Sequence, residues 1–244
     1  MPLTVNGMGT AVVPSNGMVA WTDSIWTRSP DFDGMECMVF FFMPIFPYQA
    51  IHTFDWNGNQ YRKIPIRWSV KLVLYCYLRR WLILSLVIGA IVLLVELLSP
   101  ATDRKISDEL TGAILLLLPL IGWFTLRYFD RRARLIRMIL GRHKLGSSDP
   151  ATWAETISGT VKSPREIYGK ETFSQAAAEL LQSGNFSSAM WAARFAVAKE
   201  DKQKGEKLTD LILDDINVKI ALRRIKRKPS AWHEAVQSVR PEWN

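Results

Sequence analysis

Three histidines, His52, His143 and His233, are the first residues to weigh for chemistry, because imidazole is the commonest metal ligand and serves as an acid or base near neutral pH. They are isolated from one another, and none has a neighbour at metal-ligand spacing. The chain has no HExxH pair, phosphate loop, nucleophile elbow or dinucleotide fingerprint. Gly7-Met8-Gly9 is too short a glycine signal, with no Gly-Lys-Ser or Gly-Lys-Thr behind it. Asp31 with Asp33, and Asp214 with Asp215, could flank a cation, but acids so spaced are common on loops and exposed helix faces, so a structural or turn role is expected. Cys37 and Cys76 form no CxxC pair, which speaks against a disulfide framework and fits a reducing cytoplasm. These residues lead to no catalytic residue, no metal site and no cofactor.

The elements that would have to position any such site are dominated by two apolar stretches. WLILSLVIGAIVLLVELL, Trp81 to Leu98, is about long enough to cross a bilayer as a helix. TGAILLLLPLIGWF, Thr111 to Phe124, becomes a second span when Leu110, Thr125 and Leu126 are added. Neither shows a polar face. As helices of a soluble bundle they would leave large apolar side chains exposed, at about 1.5 to 3 kcal/mol each. A membrane hairpin is therefore expected, with transmembrane segments at residues 81–98 and 110–126. Glu96 lies near the outer end of the first span, next to Ser99 and Pro100. Its carboxylate can reach the interface, and the second span offers no charged partner for a relay.

The formal charge of +8 is concentrated around these spans. The first 61 residues hold Arg28 as their lone base against Asp23, Asp31, Asp33, Glu36 and Asp55. Bases gather before the first span (Arg62, Lys63, Arg67, Lys71, Arg79, Arg80) and after the second (Arg127, Arg131, Arg132, Arg134, Arg137, Arg142, Lys144). The link at residues 99–109 has Arg104 and Lys105, offset by Asp103, Asp108 and Glu109. Short basic loops stay on the cytoplasmic side, so both termini are expected in the cytoplasm and the link outside, in a plasma or bacterial inner membrane. The first residues lack the basic start and apolar core of a cleavable signal peptide. Trp68, Arg79, Arg80, Trp81, Arg127, Arg131 and Arg132 are the expected membrane-interface residues, facing anionic lipid headgroups.

Residues 1–66 are rich in Gly, Pro, aromatic and β-branched residues and read as a β-rich domain. Strands are expected at Gly9 to Val13, Gly17 to Trp21, Met35 to Phe42, Ala50 to Trp56 and Gln60 to Pro65. Asn57-Gly58 is a hairpin signal between the last two. Pro44 and Pro47 mark an edge or a bend within MVFFFMPIFPYQAI, whose aromatics could pack a small sheet against the membrane surface or share a core with the end of the first span. Residues 67–80 read as an interfacial segment, helical and continuous with the span. Residues 127–145 read as a basic amphipathic helix on the membrane surface, with Leu135, Ile136, Ile139 and Leu140 on its apolar side.

Residues 146–244 read as α-helical. Phe173 to Gln182 and Ser187 to Lys199 form two antiparallel helices around Ser183-Gly184-Asn185. With Ala177, Leu180 and Leu181 followed by Phe186, Ala189, Ala193 and Ala196, the pair resembles a single tetratricopeptide-type unit over about 30 residues. Such a unit needs a neighbour to bury its core. The following helix, Gly205 to Ile225, or a partner protein docking at Phe186, Trp191 and Phe195 would supply it. Arg223, Arg224, Lys226, Arg227 and Lys228 are the best nucleic-acid candidates, but lipid contact or a solvated helix end explains them better.

The fold class expected is thus an α+β membrane protein: a small β-rich N-terminal domain, a two-helix transmembrane hairpin and an α-helical C-terminal region with a tetratricopeptide-like pair. The expected function is a membrane-anchored scaffold or accessory subunit of a larger inner-membrane assembly, without catalysis of its own. Its partners would be lipids and other membrane or cytoplasmic subunits, including a second copy of itself, with nucleic acid disfavoured. The alternative is a membrane-bound enzyme or sensor with a site between the N-terminal domain and the basic helix. His52, Asp55 and the bases around Arg62 would then share a pocket.

Overall fold

The computed structural model describes residues 4–5, 8–15, 18–20, 30–41, 43–55, 61–98, 106–142 and 144–227. The N-terminal part is one antiparallel sheet of strands β1 (Thr4–Val5), β2 (Met8–Pro14), β3 (Val19–Ala20), β4 (Pro30–Phe40), β5 (Met43–Phe54) and β6 (Arg62–Pro65). Their order is β1-β2-β4-β5-β6, with β3 pairing to the start of β4 beyond the end of β2. Alternation along β4 sorts its residues by face. Met35, Cys37 and Val39 join the main core, whereas Phe32 packs with Val12 and Ile51 on the other side.

The prolines of β5 do what their chemistry requires. Register against β4 slips twice, from Gln49 to Pro47 and from Phe46 to Pro44, so Tyr48 and Ile45 are extra residues on the bulged strand. β6 pairs only with Ile51 to Phe54, which leaves both prolines on an unpaired edge. The turn at Asn57-Gly58 lies outside the described residues, although the antiparallel pairing it anticipates, Phe54 opposite Arg62, is present.

Helices α1 (Val70–Leu98) and α2 (Ile106–Phe129) are long and apolar enough to cross a membrane. The first begins well before Trp81, because nothing between Val70 and Trp81 breaks a helix. The two pack through glycines, each facing a leucine of the other helix rather than another glycine. A Cβ on Gly89 would stand 2.9 Å from Leu115, and one on Gly112 would stand 2.7 Å from Leu93. Ile91, Leu94, Leu117, Leu118 and Ile121 are exposed on the outer faces. Residues 99–105 of the link are outside the described residues.

Helix α3 (Arg131–Leu140) follows α2 at once, then a 3-10 turn (Pro150–Thr152), α4 (Glu155–Ser158), α5 (Pro164–Tyr168), α6 (Phe173–Gln182), α7 (Phe186–Lys199), α8 (Lys202–Asp214) and α9 (Ile216–Arg227). Gly184 closes the α6–α7 turn at φ 76°. The helix expected over Gly205 to Ile225 is two helices. Asp215 takes an extended ψ of 135°, and its carboxylate accepts from Asn217 N at 2.8 Å, so it ends one helix and caps the next.

Sheet and helices share a core. Met35, Cys37 and Ile64 from the sheet, Ile139 and Leu140 from α3, and Trp153, Trp191, Phe195 and Ile212 belong to one apolar cluster. Backbone bonds seal the seam: Arg67 N donates to Thr152 O at 2.6 Å and Ala154 N to Pro65 O at 3.2 Å, on either side of an Ile66–Trp153 bridge. The N- and C-terminal parts therefore lie at the same end of the helix hairpin.

Gly205 tests the helical packing, because propensity and space make opposite predictions there. A Cβ would stand 2.6 Å from Val197 N and 3.0 Å from Ala193 O, both backbone atoms of α7. Gly205→Ala should lower the thermal midpoint of the detergent-solubilised protein, as overpacking at about 1–3 kcal/mol outweighs a helix-propensity gain of about 1 kcal/mol. A raised midpoint would show that α8 does not pack so closely.

Candidate functional site

A cluster of ionisable groups lies where the sheet meets α3 and the loop that follows. Asp31 and Asp33 alternate along β4 on the same face as Met35 and Cys37, so they point toward the core and take the structural rather than the turn role of the two expected. Register puts His52 of β5 directly opposite Asp33, and the Asp33 Oδ1–His52 Nδ1 distance is 2.8 Å. The other Asp33 oxygen accepts from the Arg137 guanidinium of α3. Arg137 is 2% exposed and His52 0%.

This overturns the expected position of the basic helix. α3 does not lie along a surface: its second half, Ile136 to Leu140, is buried between the sheet and the C-terminal helices. Its end is capped from within, with Trp191 Nε1 donating to Leu140 O at 3.1 Å. Burying a guanidinium requires a counter-charge with matched hydrogen-bond geometry, and Asp33 supplies it.

The loop Gly146–Asp149 is built into the same junction. Gly146 has φ 67°, and a Cβ there would meet Phe54 at 2.7 Å and Asp31 Oδ2 at 3.0 Å, so only glycine fits. Ser147 N donates to Asp31 Oδ2 at 2.8 Å. Asp149 accepts from Arg194 Nε at 2.9 Å, and Arg194 Nη1 donates to Glu206 at 3.0 Å. Arg132, expected at the lipid interface, pairs instead with Glu206 and Asp210 of α8. Asp55 pairs with Arg142 and lies 3.9 Å from the exposed Arg62.

The proton affinities of the three carboxyl groups diverge. Burial alone would raise Asp33, but the Arg137 charge and the His52 hydrogen bond outweigh it and hold the group at about 2. It is therefore ionised, and His52 Nδ1 donates to it. For Asp31 burial wins over the opposing His52, Arg142 and Ser147 interactions, and its pKa is raised. Asp130, at the α2–α3 corner, is pushed up to about 6 by burial despite Arg137 nearby. Among the described residues, Asp31 Oδ1 and His52 Nε2 are buried without a hydrogen-bond partner.

His52, Asp55 and Arg62 thus do not share one pocket: Asp55 pairs with Arg142 and, at 3.9 Å, with the exposed Arg62, whereas His52 is buried with Asp33. His143 and His233 lie outside the described residues, as does Lys228. No group of three or more His, Cys, Asp or Glu able to hold a metal occurs among the described residues. Cys37 and Cys76 are free and buried, and burial pushes the Cys37 thiol up to about 11. Trp191 and Phe195 cannot dock a partner, since both are buried against Trp153. The chain matches no family model, no curated protein and no solved structure.

Sequence reasoning missed Asp33 and Arg137 as a pair. The available signals were acids on one face of an alternating strand, and a base inside the apolar run LIRMIL. Arg137→Met should destabilise strongly, by about 3–5 kcal/mol, because it leaves Asp33 charged and unpaired. Arg137→Met with Asp33→Asn should recover much of that loss in detergent unfolding; purely additive losses would show that the pair is not coupled.

Stability should also respond to pH in opposite senses at two carboxyl groups. Asp33 is depressed from 3.8 to about 2, so its contribution is complete above 3.8 and disappears as pH falls through about 2. The wild-type advantage over Asp33→Asn should shrink over that window. Asp130 is raised from 3.8 to about 6, so Asp130→Asn should be the more stable protein above about pH 6, with the gap closing toward 3.8. A pH-independent gap would refute either assignment.

Proposed function

We propose that the chain is a membrane-anchored scaffold or accessory subunit of an inner-membrane assembly, with no catalysis of its own. α1 and α2 cross the bilayer as a hairpin, and the sheet and C-terminal helices form a cytoplasmic platform at its base. Trp68, Arg80, Trp81, Arg127 and Arg131 would lie at that base, where anionic headgroups complement the charges, whereas Arg79 and Arg132 are engaged within the protein, by Ser15 and by Glu206 and Asp210. The observation that carries this reading is that the internal pairs Arg137–Asp33–His52, Arg142–Asp55 and Arg194–Asp149 join the platform's parts at the junction.

Partner docking falls to α8 and α9, where Leu211, Ile216 and Ile220 are exposed. Crosslinking in native membranes followed by mass spectrometry of the purified protein tests this. Wild type should carry a reproducible subunit, lost in Leu211→Asp/Ile216→Asp while the thermal midpoint holds. A species free of partners, or a partner indifferent to the double variant, would count against the scaffold.

One observation favours a second reading, a membrane-bound sensor at the junction: Asp130 at about 6 beside the Asp33–Arg137 pair, at the end of α2. Hydrogen exchange in α3 that changes between about pH 5 and 8 would support it. Constant protection would leave the scaffold standing.

A further inference from the structure

The outer face of the sheet changes character along β4. Glu36 is tied to Lys63 at 2.8 Å and to Tyr61 at 2.9 Å, yet from Met38 onward every exposed side chain among the described residues of the β4–β5 hairpin is apolar or aromatic. Phe41 and Phe46 are 64% and 65% exposed, and Met38, Phe40, Ile45 and Tyr48 accompany them. The tip closes at Phe41 with φ 48°, in the left-handed region where Asn or Gly is the unstrained choice. Phenylalanine at that position is unfavourable for the backbone and for exposure to water alike.

One contact places this tip beside the first apolar helix. Tyr77 Oη of α1 donates to Ile45 O at 2.8 Å, holding the tip beside α1 one turn before Trp81. On α1 itself Leu74, Leu78 and Trp81 are exposed, so the apolar surface of the span runs back continuously to the level of the tip. Arg79 of this turn, whose guanidinium lies 4.7 Å from the Trp123 ring, bonds Ser15 O and thereby fixes α1 to the sheet.

We propose that the β4–β5 tip is a third bilayer contact, seated at the headgroup-to-acyl boundary beside the hairpin, with Phe41 and Phe46 as its anchors. Aromatic and large apolar side chains suit that depth. The contact holds the sheet against the membrane and so sets the orientation of the platform. This inference rests on the membrane reading of α1 and α2.

Nitroxide labels test it in the full chain, reconstituted in nanodiscs of phosphatidylcholine and phosphatidylglycerol. Label sites are Phe41→Cys and Phe46→Cys, with Leu118→Cys on the outer face of α2 and Lys202→Cys on α8 as references. The native cysteines are shielded by burial. Collision with oxygen relative to a water-soluble nickel chelate should be several-fold higher at 41 and 46 than at 202, approaching the ratio at 118. Values at 41 and 46 equal to that at 202, with 118 lipid-like, would overturn the proposal and leave the spans intact. A water-like 118 would sink the membrane reading as well. Labels at 41 and 46 that neither reagent reaches would replace lipid with a protein surface, such as a second copy.

Discussion

The buried ion pair between Arg137 and Asp33 is the interaction around which the sheet and the C-terminal helices are organised. The two residues are 104 positions apart and come from the first helix after the second apolar span and from the second-longest strand of the sheet. A guanidinium at 2% exposure must keep its counter-charge or the surrounding packing fails. α3 can therefore sit on the sheet only in the register that brings Arg137 to Asp33. His52 secures Asp33 from the neighbouring strand, and Asp31 pins the following loop through Ser147. That loop hands the constraint to Asp149, Arg194 and the C-terminal helices.

Because α3 leaves α2 directly after Asp130, the same pair ties the platform to the helix hairpin. There is no flexible linker between them. α1 is joined independently, through Arg79 to Ser15 and Cys76 to Val13 at 3.2 Å. α2 thus joins the rest through a single corner residue, and α1 through direct side-chain bonds to the N-terminal part.

Elements whose signal is local were legible in the sequence. The helices at 173–182 and 186–199 follow from apolar periodicity interrupted by Ser-Gly-Asn, and the paired strands β5 and β6 from alternation around Asn57-Gly58. The apolar spans needed only length and composition. Elements whose identity depends on distant partners were misread. α3 has the composition of a surface-lying basic helix, and only the sheet packed against it makes Arg137 an interior residue. Trp191 and Phe195 look like free anchors on a helix pair until Trp153, from another segment, covers them. The break at Asp215 was hidden because its flanks, taken together, continue an apolar stripe.

By itself the sequence determined two apolar helices, a β-rich segment before them, helices after them, and a concentration of bases on their two outer flanks. Each follows from side-chain type and spacing within a few turns of chain. The tertiary structure alone decided that sheet and helices share one core, that the bases divide between internal pairs and surface, and that Asp31, Asp33 and His52 face inward together. A charge in isolation belongs in water, and only a partner brought close by the fold offsets the cost of removing it.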